Sequence, residues 1–472
     1  MRSVRIQGQQ FTTDTAIEVR SPYSGELIDT VPSCSVADVD RAVRAAKAVM
    51  HEAPMPAHQR ATILDAAARL LGERNEFFAQ IISAESAKPI KTARVEASRA
   101  VSTFQFAAAE ARTLAGDVVP MDASAAGVGK IAFTMRMPIG VIGAIAPFNF
   151  PLNLVAHKLA PAIAAGCAVV LKPASQTPLS AIALSELLID ECGLPADWLH
   201  VVTGGGSTVG NAIVDHPGVA MITFTGSPSV GWGIRAQAAR KKVGLELGNN
   251  APIIIEADGD WLAAAEKIKV AGFSHAGQSC ISTQRIYVHE SIAAQFTDAL
   301  VERVNTLVVG DPANDATDVS ALISRSERDR VASWIAEATG QGGRVLTGGT
   351  IDDAGVLRPT VIADATPDMK VCAGEVFGPV VAIATYTDVN EAFRLANDSA
   401  FGLQAAIFTS NITTAMTALR TIDFGGVLVN EVPTFRADQQ PYGGLRDSGN
   451  TREGPRYAVR EMTEERICII AG

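Results

Sequence analysis

Along most of this chain, apolar residues recur either at helical spacing or in short unbroken runs, and the two patterns divide it into segments. Apolar positions at three- and four-residue intervals predict helices over 36–50, 57–74, 76–87 and 92–115. Ser35, with Asp38 three residues on, is placed to cap the first of them. Residues 1–36 read as short strands and turns, with Ser21-Pro22-Tyr23-Ser24-Gly25 as one clear turn. After a small-residue link at 123–129, residues 130–137 carry the β-branched and aromatic side chains of a strand. From Ile139 the runs at 140–146, 168–171, 199–202 and 221–224 alternate with helical segments near 152–165, 179–192, 208–215 and 229–240. A second series begins near Pro252. Its strands are expected at 286–288, 380–384, 405–408 and 427–429, and its helices near 260–274, 290–306, 326–339, 388–397 and 411–421. Strand–helix alternation with fully apolar strands implies parallel sheets covered on both faces. The chain therefore reads as two α/β domains joined close to Gly248, ending in an edge strand around 466–470 that is free to pair with another chain.

Composition narrows the class. At 472 residues the chain exceeds one ordinary core, and 47% hydrophobic residues with mean hydropathy +0.18 fit a well-packed globular protein. A net charge of −10 with interspersed signs speaks against nucleic acid or an anionic membrane as partner. No apolar run reaches the roughly 20 residues of a membrane span, and the first 20 residues have no secretory h-region. The six cysteines lie far apart and the seven histidines do not cluster, so neither disulfides nor a metal site is expected. A reduced, cytoplasmic, metal-free enzyme is the expectation.

The candidate chemistry centres on 273–285, F-S-H-A-G-Q-S-C-I-S-T-Q-R. A free cysteine is most often a small buried hydrophobe, but Cys280 follows a Gly-Gln pair and small residues that leave its thiol approachable. Glu246 lies in an apolar turn, L-E-L-G-N-N, and Asn149 is fixed between prolines in P-F-N-F-P. A thiol, a possible base and an amide donor are what acyl chemistry at a carbonyl requires. His275, five residues before the cysteine, raises the alternative of a Cys–His pair.

Lys172 and Ser175 follow the strand at 168–171, at the edge where open sheets bind ligands. Gly226 and Ser227 open a helix whose free N–H groups suit a pyrophosphate, although the G-x-G-x-x-G spacing is absent. Gly204-Gly205-Gly206 reads equally as a plain tight turn. Glu375 and Phe377, in E-V-F-G-P, offer a carboxylate for a ribose and an aromatic face for a ring.

Taken in order, P-F-N-F-P, L-K-P-A-S, F-T-G-S, L-E-L-G, G-Q-S-C, E-V-F-G-P and P-Y-G-G resemble the NAD(P)-dependent aldehyde dehydrogenase superfamily over essentially the whole chain. The resemblance implies a Rossmann-like cofactor domain (1–119 and 139–247), a catalytic domain (248–449) and a small oligomerisation arm (120–138 and 450–472), hence a homodimer or homotetramer. It implies Cys280 as nucleophile, Glu246 as general base, and Asn149 with the Cys280 N–H as oxyanion hole. NAD or NADP would meet Lys172 at the adenosine ribose, Ser227 at the pyrophosphate, and Glu375 and Phe377 at the nicotinamide half, with Pro147 and Gly226 alongside.

Departures from the family pattern refine the expectation. Ser175 stands where many NAD-preferring relatives carry a glutamate, which leaves room for the 2′-phosphate of NADP. Phe148 replaces a frequent tryptophan. His157 and Ser274 occupy positions that tend to be arginine in relatives acting on succinate semialdehyde, which disfavours that substrate. The stretch from Pro433 to Pro455 is similar to the branch oxidising lactaldehyde, phosphonoacetaldehyde and other small polar aldehydes. Arg436 is the candidate anchor for an anionic or hydroxylated substrate, with Arg99 and His157 as partners. Two alternatives remain: a CoA-acylating relative, against which Glu246 speaks, and a cofactor-independent cysteine hydrolase or acyltransferase.

Overall fold

A computed structural model describes residues 1–471. Its first sheet has five parallel strands, ordered Lys242–Glu246, Val219–Thr225, Val141–Ile145, Val169–Lys172 and Leu199–Val201. Every residue of Val141–Ile145 and Val169–Lys172 is buried, as the unbroken apolar runs require of strands covered on both faces. The second sheet has seven strands, ordered Arg344–Thr347, Thr360–Ala363, Val380–Tyr386, Arg285–His289, Pro252–Ile255, Gln404–Phe408 and Gly426–Val429. All neighbouring pairs are parallel except the first. That antiparallel edge pair, Arg344–Thr347 with Thr360–Ala363, was not expected from the sequence. Its strands are only four residues long, and the edge strand is buried at none of its positions.

Among the helices, Val36–Glu52 begins with the anticipated cap: the Ser35 hydroxyl accepts from the Asp38 N–H while the Asp38 carboxylate accepts from the Ser35 N–H. The segment expected as a helix at 208–215 is instead a wide turn, Gly206–Gly210, running into the short helix Asn211–Asp215. Glycine at both ends of that turn weakens the regular ladder. The helix expected over 290–306 starts only at Ala293, after a tight turn.

A third, antiparallel sheet joins Thr463–Ala471 to Lys130–Pro138, which pairs in turn with Val118–Val119. The strand Thr463–Ala471 therefore pairs within its own chain, and its other edge is unpaired among the described residues. Before this strand, the helix Pro455–Glu461 packs against the helices Ile90–Thr113 and Asn153–Ala165. Its buried Pro455, Ala458 and Val459 supply the reason.

Asn153–Ala165 is buried along its entire length, so the N–H groups of its first turn need internal acceptors. Glu96 provides them, its Oε1 accepting from Leu152 and Asn153 N at 2.9 and 3.1 Å. Its other oxygen pairs with Lys88, and both side chains are fully buried. Lys88 also lies 3.7 Å over the Phe150 ring. This cluster clamps the turn that carries Asn149. Lys88→Met leaves the Glu96 charge buried without its counterion and is expected to destabilise the fold by about 3–5 kcal/mol. A urea-unfolding midpoint shows the loss, and adding Glu96→Gln recovers part of it.

Candidate active site

Cys280 is presented by an unusual turn. His275, Ala276 and Gly277 lie in succession in the left-handed region, with φ of 51°, 53° and 70°. The first two are disfavoured for residues with a side chain. Gly277 is required sterically as well, because a Cβ there would stand 2.1 Å from the Gly378 carbonyl oxygen. The turn is held by Gln278, whose amide donates to the His275 carbonyl and accepts from Ile323 N. It also turns the imidazole away from the thiol. His275 is buried edge-on to Phe150, with both ring nitrogens unpaired among the described residues. The nearby histidine therefore makes no pair with Cys280.

The thiol is half-buried, and its sulfur lies 2.9 Å from the hydroxyl of Tyr442. Burial pushes Cys280 up to about 12. The Tyr442 hydrogen bond and the Arg436 charge work downward, against the negative charges of Glu375 and Glu246. Asn149 is buried and its Nδ2 donates to the Gln278 carbonyl at 3.0 Å. That carbonyl fixes which end of the amide faces the cysteine turn, and the second N–H of the –NH₂ group stays free to donate.

Glu246 ends the strand Lys242–Glu246 and is 3% exposed, yet neither carboxylate oxygen has a hydrogen-bonding partner among the described residues. Burial first, then the like charge of Glu453, holds it well above the ordinary carboxylate range, although Arg436 and Lys158 pull the other way. Glu453 is displaced oppositely. Burial raises it, but Arg436, His157 and Lys158 together outweigh that and lower it. One carboxylate biased toward the proton beside another biased toward the charge is a division suited to acid–base work. Neither Glu453 nor Lys158 was singled out as a site residue from sequence. Lys158 is fully buried, bonded to Thr223 and Thr225 and 3.9 Å from Glu453.

The three residues named for substrate come together. Arg436, with a side chain only 5% exposed, donates to Glu453 at 2.9 Å and lies 3.3 Å from His157 Nε2. His157 is 3.2 Å from Asp438, which also accepts from Arg99 at 2.8 Å. The guanidinium stacks 3.8 Å above the Tyr442 ring. Arg436 is thus no solvated loop charge. Its Nε is buried and has no partner among the described residues.

On the other side of the thiol, Glu375 accepts from Asn249 N at 2.9 Å and lies against Gly248, where a Cβ would come within 2.3 Å of its carboxylate. Burial pushes Glu375 up to about 7. Phe377 packs edge-on to Phe148, beside the half-buried Pro147. Lys172 is buried with one long bond, 3.3 Å, to the Pro173 carbonyl. Ser175 donates to Gly204 O. Ser227 caps the helix Pro228–Gln237 without a side-chain cap bond, and Gly226 precedes it. An under-satisfied buried ammonium and a free helix N-terminus suit a ligand carrying hydroxyls and a pyrophosphate, so these residues fit a dinucleotide. No cluster of metal-ligating side chains occurs among the described residues, and no helix is long and apolar enough to cross a membrane.

The model of the aldehyde dehydrogenase family matches residues 9–468. A 3-sulfolactaldehyde dehydrogenase from Priestia aryabhattai is 44% identical over 465 residues, covering 98% of this chain and 97% of that protein. A lactaldehyde dehydrogenase from Methanococcus aeolicus is 37% identical over 460 residues, covering 96% and 97%. Among solved structures, an NADP-dependent glyceraldehyde-3-phosphate dehydrogenase from Bacillus halodurans, complexed with NADP, superposes with a TM-score of 0.96. It is 36% identical and covers 100% of this chain and 99% of its own. A family match over almost the whole length, with relatives this similar from end to end, means that the chain belongs to the aldehyde dehydrogenase family.

Proposed function

We propose that this enzyme oxidises a short anionic or hydroxylated aldehyde, of the sulfolactaldehyde or lactaldehyde type, to the carboxylic acid with NADP or NAD. The observation that carries the substrate class is Arg436, a buried guanidinium beside Cys280 whose Nε has no partner among the described residues. Such a donor suits a sulfonate, carboxylate or phosphonate oxygen. The similar sulfolactaldehyde and lactaldehyde dehydrogenases support the reading, as does the NADP complex of the glyceraldehyde-3-phosphate dehydrogenase.

In this reading the Cys280 thiolate attacks the carbonyl while the free N–H of Asn149 and the Cys280 backbone N–H receive the developing oxyanion. Lys172, Ser227, Glu375 and Phe377 would hold NAD(P), which would supply the acceptor for the hydride. The acyl group then rests on Cys280 as a thioester, and Glu246 draws a proton from the water that hydrolyses it. Ser175, lacking a carboxylate, tolerates a 2′-phosphate. The open edge of Thr463–Ala471, with exposed Ile467, Ile469 and Ile470, supports assembly into a homodimer or homotetramer.

The test is kcat/KM for sulfolactaldehyde, lactaldehyde and a neutral alkyl aldehyde of similar length, each with NAD and NADP. The anionic or hydroxylated aldehydes are expected to lead. Arg436→Leu also strips Glu453 of its partner, so the informative quantity is the difference between substrates. A charge-assisted contact worth about 1.5–3 kcal/mol makes the anionic aldehyde lose roughly tenfold more than the neutral one. Equal losses restrict Arg436 to holding Glu453 and Tyr442.

A further inference from the structure

Tyr442 enters none of the steps above, yet its hydroxyl touches the reacting atom. The residue is 4% exposed, and Cys280 Sγ, at 2.9 Å, is the hydroxyl's only hydrogen-bonding partner among the described residues. The opposite end of the interaction is the ring face, covered by Arg436 at 3.8 Å, which is itself anchored by Glu453 at 2.9 Å. Sulfur, phenol, guanidinium and carboxylate thus form one chain of contacts.

We propose that Tyr442 is a further catalytic residue: its O–H donates to the Cys280 sulfur, stabilising the thiolate before attack and again when the thiolate leaves the acyl group, and the guanidinium stacked on its ring strengthens that donor. The proposal rests on Cys280 being the nucleophile.

A thiolate in a half-buried site needs donors, since burial disfavours the charged form and two carboxylates stand near it. His275 supplies none. A phenol suits the task because burial and the adjacent thiol hold it well above its ordinary range, so it keeps its proton when the thiol ionises. On ionisation the S–H bond breaks, the proton leaves to water, the electron pair stays on sulfur and the phenol O–H turns toward it. Acylation spends that pair in the C–S bond. On hydrolysis the pair returns to sulfur and meets the same donor. No electrons are exchanged with Tyr442 at any stage. A cation over the ring face draws electron density from the phenol and makes its O–H the better donor.

The experiment compares the full-length wild type with Tyr442→Phe, which keeps the ring and the cation stack and removes only the hydroxyl. Iodoacetamide modification of Cys280 is followed by peptide-resolved mass spectrometry over a pH series, without aldehyde or cofactor. Losing one charge-assisted donor cuts the thiolate population about tenfold at a given pH. The remaining thiolate is more nucleophilic, which returns roughly threefold, so a net loss of about threefold is expected. The value of kcat/KM for the aldehyde should fall, with KM for NADP unchanged. A modification rate equal to or above wild type at every pH overturns the proposal. A slowed Cys280 in a protein that turns over no aldehyde leaves the donor standing and sinks the functional reading. An unslowed Cys280 in an active dehydrogenase does the reverse.

Discussion

Cys280→Ala is expected to eliminate NAD(P)H formation from every aldehyde, with a loss on the order of 10⁴-fold or more, as removal of the proposed covalent nucleophile entails. The substitution is mild structurally. The sulfur is half-buried and bonded only to the Tyr442 hydroxyl among the described residues, so the fold loses one contact and a small volume. Cofactor affinity, followed by nicotinamide-site fluorescence quenching, is expected to survive. A variant that kept even one per cent of the oxidation rate would remove Cys280 from the role of nucleophile. None of the remaining five cysteines can take it over: Cys34, Cys167, Cys192 and Cys372 are buried elsewhere, and Cys468 lies in the strand Thr463–Ala471.

Glu246→Gln separates the two halves of the reaction. In the proposed mechanism acylation needs no base at this position, so the variant is expected to release about one NAD(P)H per site in a burst and then stall at the thioester. Steady turnover falls by roughly 10²–10⁴-fold, the usual worth of a positioned general base. Stopped-flow absorbance measures the burst, and intact-mass spectrometry measures the acyl adduct on Cys280. Turnover at the wild-type rate without a burst would place the base elsewhere. The pH dependence has a definite sign. Burial and Glu453 raise Glu246, and only its ionised form takes a proton from water. Deacylation in the wild type therefore climbs as pH rises through a value above the ordinary glutamate range, and this rise is absent in Glu246→Gln. Replacing Glu453, the like charge beside it, should move the rise to lower pH.

Much of the frame was legible because its strands are buried on both faces and write themselves as apolar runs. Val141–Ile145, Val169–Lys172 and Gln404–Phe408 all lie within a residue or so of their expected places. Arg344–Thr347 was not, since a four-residue, half-exposed antiparallel edge carries no such run. The site divides similarly. Cys280, Glu246 and Asn149 stand in short distinctive stretches. Lys158 is invisible in a helix that reads as uniform core, because burial of its charge depends on Thr223, Thr225 and Glu453, which are remote in sequence. Proximity along the chain misleads in the opposite direction at His275, where three left-handed residues turn the ring aside. Tyr442 was visible only within the P-Y-G-G motif, with no role of its own. Its partnership with a thiol 162 positions earlier is a product of tertiary packing alone.

The late position of Arg436, Asp438, Tyr442 and Glu453 has a consequence for the order of events during synthesis. A nascent chain that has emerged only as far as Asn430 already contains Cys280, Glu246 and Asn149, but the thiol has no hydroxyl beside it and Lys158 lacks Glu453. The strand Thr463–Ala471, which ties the end of the chain back to Lys130–Pro138, comes later still. All strands of the two parallel sheets, the last being Gly426–Val429, are therefore synthesised before the thiol's hydroxyl partner. A chain stopped at Asn430 would hold Cys280 without the Tyr442 hydroxyl and without the Arg436 guanidinium.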